Sequence, residues 1–381
     1  MCALDTRITF SDEQAMLQDS AVSFCRQRSP SLTVRAHLLT ETGFDRTVWD
    51  EMVQLGWLGI ALPERFGGSG LSIGHTATVA EPMGRHLLAT PFFSTQLFIQ
   101  GLLAGGNAAQ QQSWLTRMGQ GSIGSVALFE DDGDWDLNHL QCHTTAQGER
   151  ISLHGNKTLV CDAAVADALL ISVMHDGAPA LAVVATADLP TTSLQRETVI
   201  DETRRSHRLR LDGLQVDAGA LITGAAARSA LIAIRNAAWL LASAEAAGGI
   251  AGALAVVVEY LNTRTTFGRK IGSYQALKHT CADILCGLER ARSHVHHAAT
   301  LMAGADDPAD IEIALRMAKA EAGDTFAFTG DRAVQFHGGF GFTYDCDAQL
   351  YLRRALWLQP WFGDSAHHRR RLADQLLGVS G

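Results

Sequence analysis

The sequence has no C-x-x-C pair and no cysteine or histidine set at the spacing of a structural metal site. Its seven cysteines, at 2, 25, 142, 161, 281, 286 and 346, are scattered along 381 residues. That scatter predicts free thiols in a reducing compartment, the cytoplasm, and no metal. His294, His296 and His297 are close in sequence, but only the first and last share a helix face, which predicts surface or interface histidines. No basic run marks a nucleic-acid surface, and the net charge of −9 with a pI near 5.9 describes a mildly acidic protein. The segment Met1-Cys-Ala-Leu-Asp-Thr-Arg7 lacks the apolar core of a signal peptide. Internal repeats and low-complexity linkers are also missing.

What is present is a chain that is 47% hydrophobic and long enough to bury a large core split into two or three domains. One run, Ala237 to Val258, is 22 residues of mostly Ala, Gly, Leu and Val. It could cross a bilayer by length, but Glu245 interrupts it and its small residues suit close helix packing. A buried central helix is predicted, and no membrane span.

Three regions differ in pattern. Residues 1–118 read as helical, starting with capping character at Ser11-Asp-Glu-Gln14 ahead of a run to Arg28. A second helical stretch from Trp49 runs into Pro63-Glu-Arg-Phe-Gly-Gly-Ser-Gly70, where the glycines predict a tight turn. Residues 119–221 carry short apolar runs such as 125–129, 150–154, 168–173 and 180–185, separated by Gly, Asp and Asn. These predict a small antiparallel sheet or barrel. Residues 222–381 return to helical periodicity and end in a basic triplet, Arg369-Arg-Arg371, read as a solvated helix face. Asp283, Arg290 and Arg292 are expected in helix–helix or subunit contacts, and Lys278 in solvent.

Two segments of the last region carry chemistry. Asn262-Thr-Arg-Thr-Thr-Phe-Gly-Arg-Lys-Ile-Gly-Ser-Tyr-Gln-Ala-Leu-Lys-His279 links two long helices. Arg264 there offers a planar fork of donors suited to a phosphate, with Phe267 beside it and Gln275 at the next helix start. In Gln335-Phe-His-Gly-Gly-Phe-Gly-Phe342 the paired glycines let a backbone come close to a ligand. Each alone is compatible with an ordinary helix end or turn.

Together these segments resemble the C-terminal motifs of the acyl-CoA dehydrogenase family, R-x-x-F-G-x-x-I-x-x-x-Q and Q-x-x-G-G-x-G-[FY], in order and in separation. The stretch around Pro63–Gly70 resembles the family's N-terminal signature, a wall of the acyl pocket. The resemblance implies an α+β chain: an N-terminal helical domain, a middle β-barrel or sheet domain and a C-terminal four-helix bundle that makes the oligomer. It also implies FAD and an acyl-CoA substrate. In this chemistry a carboxylate takes the α-proton while hydride passes to the flavin, and electron-transfer flavoprotein takes the electrons. The base works best in an apolar pocket that raises its pKa.

The family's own-flavin and base positions are altered here. Phe362 stands where the Tyr-Glu-Gly-Thr glutamate belongs, ahead of the matching Gly363. Ala238 stands at the alternative glutamate position used by some relatives. Asp364, two residues past the first position, and Glu245, about 10 Å further along the helix from the second, are the candidate substitutes. In the β region, Phe129 replaces the hydroxyl of Thr-Glu-Pro, Leu159 replaces the ring-packing Trp, and four acids between 130 and 134 are expected to repel a pyrophosphate. Gly155 and Lys157 remain.

The retained residues, Arg264, Phe267, Gln275, Gln335, Gly338 and Gly339, are those that a family subunit donates to its neighbour's FAD. The resemblance therefore points to the base-lacking subunit of an α2β2 heterotetramer, of the kind that acts on steroid side-chain CoA esters, with FAD shared with a homologous partner. Two other readings stay open. One is a self-sufficient homo-oligomer using Asp364 or Glu245; the other is a flavin-free structural or regulatory paralogue.

Overall fold

A computed structural model of the chain describes residues 12–147, 150–304 and 307–378. Ser11, Cys2 and the Met1–Arg7 segment discussed above lie outside them. Six helices come first: α1 (Asp12–Arg28), α2 (Ser31–Leu38), α3 (Arg46–Gln54), α4 (Ala77–Arg85), α5 (Phe92–Gly105) and α6 (Ala108–Gly119). Strands follow as β1 (Gly124–Ala127), β2 (His143–Gln147), β3 (Arg150–His154), β4 (Asn156–Cys161) and β5 (Ala168–His175). They continue through β6 (Ala178–Ala185), β7 (Leu194–Glu197), β8 (Ser206–Arg210), β9 (Gln215–Asp217) and β10 (Leu221–Ile222). Then α7 (Gly224–Thr263) leads through the hairpin β11 (Thr265–Thr266) and β12 (Arg269–Lys270) to α8 (Gln275–Gly304). The chain ends with α9 (Pro308–His337), α10 (Ala348–Leu358) and α11 (Ser365–Leu377).

Contacts divide the chain into two compact units. One, the β unit, comprises Arg35–Leu71 and Ala89–Ala238; the other, the helical unit, comprises Met1–Val34, Ser72–Leu88 and Trp239–Gly381.

In the β unit, β5 and β6 are nearly continuous apolar runs and are buried along most of their length. Asp176-Gly177 closes their hairpin with two left-handed residues, φ 49° and 76°, the turn such a pair favours. The larger sheet has the order β10-β6-β5-β2-β3-β9, with β1 also paired to β5; β4-β8-β7 form a second, antiparallel sheet. The larger sheet is mixed, where alternation had predicted only antiparallel pairs: β1 runs parallel to β5. Apolar alternation reports a buried face but not strand direction, and the chain returns through β2–β4 before β5 is laid down. Helix α5 packs on this sheet so closely that a Cβ added at Gly124 would lie 2.5 Å from the Phe98 ring.

In the helical unit, the part of α7 from Trp239 onward is the core. The whole helix is long and apolar enough to cross a membrane by composition, yet most of its apolar window is buried in the fold. Its glycines explain the small-residue content. A Cβ at Gly248 would sit 1.8 Å from the Glu81 carbonyl oxygen, and one at Gly84 2.0 Å from that of Glu245. Helices α4 and α7 therefore touch backbone to backbone. Phe326 of α9 presses its ring against Gly249. Charge ties the outer faces: Arg292 of α8 binds Glu81 of α4 at 2.7 Å, and Arg290 binds Glu321 of α9 at 2.8 Å. Arg369, Arg370 and Arg371 are exposed, with Arg369 paired to Asp324.

Candidate functional site

The two motif segments of the helical unit meet at one end of the bundle. Val257 and Leu261 of α7, Ala333 and Val334 of α9, and Cys346 and Ala348 form one buried cluster, with Ile271, Leu277 and Phe336 packed on it. This apolar knot holds the end of α7, the start of α8 and the end of α9 together. Above it, Thr265–Thr266 pairs with Arg269–Lys270, and Phe267 and Gly268 turn the hairpin with φ of 53° and 76°. A phenylalanine in the left-handed region costs about 1 kcal/mol. The result is a ring 91% exposed, pointing away from its own core.

Arg264, Gln275 and Gln335 are exposed, and their side chains make no hydrogen bond or ion pair among the described residues. Gly338 and Gly339 follow α9; Gly338 has φ 60° and ψ −141°, which only glycine holds easily. A Cβ at either glycine would meet nothing within 4 Å, so their backbone lies open to a ligand. An unengaged guanidinium, two side-chain amides, an uncovered ring and an open diglycine backbone fit the diphosphate and adenosine end of a dinucleotide. His337, between the motif residues, is buried and stacked on Tyr260 at 4.2 Å.

The base position has a different character. Phe362 is 4% exposed and left-handed, φ 57°, with its ring edge-on to Trp361 at 4.9 Å. Trp239 Nε1 donates to its carbonyl oxygen at 2.7 Å. Fully buried Lys319 donates to the carbonyls of Leu358, Gln359 and Gly363 at 3.0, 2.9 and 3.1 Å. Burial pulls its ammonium down to about 7, against the nearby charges of Asp364 and Asp324. The loop is thus fastened on both sides, and the side chain it presents at the family position is a phenyl ring.

The two candidate carboxylates are occupied. Asp364 caps α11, its Oδ1 accepting from the His367 amide at 2.7 Å. Glu245 is buried in an ion pair with Arg354 of α10, whose side chain is also fully buried. Sequence reasoning missed Arg354, Trp239 and Lys319; the available signal was a charged residue within the apolar run Leu350–Leu358.

In the β unit the altered motif positions lie close together. Phe129 bridges to Thr158, and Leu159 follows with φ 54° and 37% exposure. Glu197, which sequence reasoning did not single out, accepts from the Thr158 hydroxyl (2.5 Å), the Leu159 amide (3.0 Å) and the Ser206 hydroxyl (2.8 Å). These donors are therefore spent within the chain, and the residues present do not fit a flavin ring held in the family manner. Retained Lys157 is also internal: its Nζ lies 2.6 Å from buried Glu130 and donates to Ser172 at 2.9 Å. Burial pushes the Glu130 carboxyl up, but Lys157 and the Gln141 and Cys142 amides outweigh it and hold it below its ordinary value.

The expected repulsion from four acids needs correcting in part. Glu130 is neutralised by Lys157, and Asp131 by a two-pronged pair with Arg208 at 2.7 and 2.6 Å. Asp132 and Asp134 remain as outward charge, hydrogen-bonded to Gln141 and His139. In the N-terminal signature, Ala61, Pro63, Glu64, Arg65, Ser69, Gly70 and Leu71 line an open hollow of about 450 Å³.

The chain thus combines N-terminal helices, a middle β region and C-terminal helices that carry an arginine hairpin and a diglycine turn. Comparison with known proteins assigns the family. Residues 11–122 match the acyl-CoA dehydrogenase N-terminal domain and residues 232–377 the C-terminal domain. The chain is 30% identical over 357 residues to the acyl-CoA dehydrogenase IpdE2 of Mycobacterium tuberculosis, covering 91% of this chain and 92% of that protein. Among solved structures it superposes on the ChsE4–ChsE5 complex of Mycobacterium tuberculosis with a TM-score of 0.89 and 25% identity, over 99% of this chain and 100% of that one. A variant of the Tcur3481–Tcur3483 steroid ACAD gives 0.86 and 27%, over 97% and 99%. The chain belongs to the acyl-CoA dehydrogenase family, whose members are oxidoreductases.

Proposed function

We propose that this chain is the FAD-half-site subunit of a heteromeric acyl-CoA dehydrogenase, working in the cytoplasm with a homologous subunit that supplies the catalytic base. The observation that carries the reading is a contrast within one chain. The residues that grip a neighbour's FAD are exposed and unengaged, whereas the base position is a buried phenyl ring and both nearby carboxylates are otherwise bound. FAD supplies the redox capacity of the complex. Arg264 would hold its diphosphate, Gln275 and Gln335 would hydrogen-bond its polar edge, Phe267 would cover it, and Gly338-Gly339 would let the backbone close on it. The partner's carboxylate removes the α-proton of an acyl-CoA thioester.

Steroid side-chain CoA esters are the proposed substrate class, supported by the name of one similar solved structure, the steroid ACAD above. Electron-transfer flavoprotein is the proposed acceptor. The test is flavin content and assembly mass for this chain alone and with a co-expressed family member. The proposal expects a colourless product alone and a yellow four-chain complex carrying two FAD. A yellow homotetramer with one FAD per chain would overturn it.

A further inference from the structure

We infer that the Tyr260–His337 stack is the joint that sets the Arg264 hairpin against the Gly338-Gly339 turn, making His337 a positioning residue of the half-site; this rests on the half-site reading above. The two motif segments are carried by different helices, so each could be well formed and still be misaligned with the other. The apolar cluster beneath them holds the helix ends together, but burial is non-directional and does not fix rotation. The stack supplies that direction. Tyr260 lies on the last turn of α7, and its carbonyl accepts from the Arg264 amide at 2.9 Å, so its ring and the hairpin root share one turn.

His337 is the last residue of α9 and is 6% exposed. Its Nδ1 lies 2.7 Å from the Ala333 carbonyl oxygen. A ring nitrogen facing a carbonyl must carry the proton, so that bond sets both the tautomer and the plane of the imidazole. The plane so fixed lies 29° from that of Tyr260, with the centroids 4.2 Å apart. The Phe340 ring, beyond the diglycine, sits 6.4 Å from the same imidazole. The next residue, Gly338, has the left-handed backbone that opens the turn. His337 is therefore the last side chain anchored to the helix before the ligand-facing backbone begins. A merely space-filling residue would need neither the bond to Ala333 nor a plane matched to Tyr260.

The test uses the complex of this chain with its partner and follows FAD release by the rise in flavin fluorescence after dilution, together with assembly mass and melting of the flavin-free complex. His337→Ala and Tyr260→Leu should each release FAD about three- to tenfold faster, the worth of an aromatic pair, with assembly mass unchanged. His337→Phe, which restores a ring but not the bond to Ala333, should recover part of the retention. Arg264→Ala is the control for the underlying reading and should speed release by about tenfold or more. Wild-type release from His337→Ala beside fast release from Arg264→Ala would overturn the joint alone. Equal loss in His337→Phe and His337→Ala would also overturn it, since the ring would not be what matters. Wild-type release from Arg264→Ala would instead remove the half-site reading. If His337→Ala fails to assemble, Tyr260→Leu carries the same comparison from the other side of the stack.

Discussion

Glu245 and Arg354, 109 residues apart in sequence, form an ion pair inside the helical bundle, with side-chain exposures of 1% and 0%. Breaking such a pair leaves one charge buried without compensation, at a cost of about 3–5 kcal/mol. Glu245→Gln is therefore expected to lower the urea midpoint sharply, and Glu245→Leu combined with Arg354→Leu to recover much of the loss. A Glu245→Gln chain of normal stability whose complex lacked turnover would make Glu245 the base instead.

Asp364 is expected to behave as a cap. Asp364→Ala should cost about 1 kcal/mol, seen as a lower melting midpoint, through loss of the bond to the His367 amide. The rate of flavin reduction by substrate in the assembled complex should stay at the wild-type value. Abolished reduction with intact assembly would count for the self-sufficient reading.

Acid should destabilise the fold through His368. Burial, joined by the charges of Lys319 and Arg316, pushes its imidazole down from 6.5 to about 2. Between those values the unfolded chain binds a proton that the folded chain refuses. Stability is thus full above pH 6.5 and falls as the pH drops, by up to about 1.4 kcal/mol per pH unit. His368→Gln should show a shallower fall in denaturation midpoint from pH 6.5 to 4.5. A slope as steep as that of the wild type would place the acid sensitivity elsewhere.

The seam between α4 and α7 should tolerate no side chain. Gly248→Ala places a methyl 1.8 Å from the Glu81 carbonyl oxygen, so the helices must part, and overpacking of this kind costs about 1–3 kcal/mol or more. Gly219→Ala meets nothing within 4 Å and serves as the neutral control. Matching thermal midpoints for the two variants would show that the seam can relax.

These cases also show what was legible before the structure. Arg264, Phe267 and Gln275 lie in one short link, and Gln335 to Gly339 in another, so their spacing is local and recognisable. The strands β3, β5 and β6 announce themselves by short apolar runs between turn residues. Long-range pairing leaves no such trace. Nothing near Glu245 in sequence points to Arg354, and nothing near Asp131 points to Arg208, 77 residues on. The parallel pairing of β1 with β5 was hidden for the same reason, because direction is decided by where the chain returns. The capping role of Asp364 is local, yet an acid two residues past the family's catalytic position has the same sequence signature as a displaced base.

The rings of Phe267, Phe340 and Phe342 stand at the bundle end, 91%, 46% and 85% exposed. Two largely uncovered phenylalanines and a half-covered one, on a hairpin and a glycine turn, form an apolar surface of the kind that adheres to other apolar surfaces. The consequence falls on supply. Under the heteromeric reading proposed above, chain made in excess of its partner is expected to clump, so output of the two would have to be matched in number and in time.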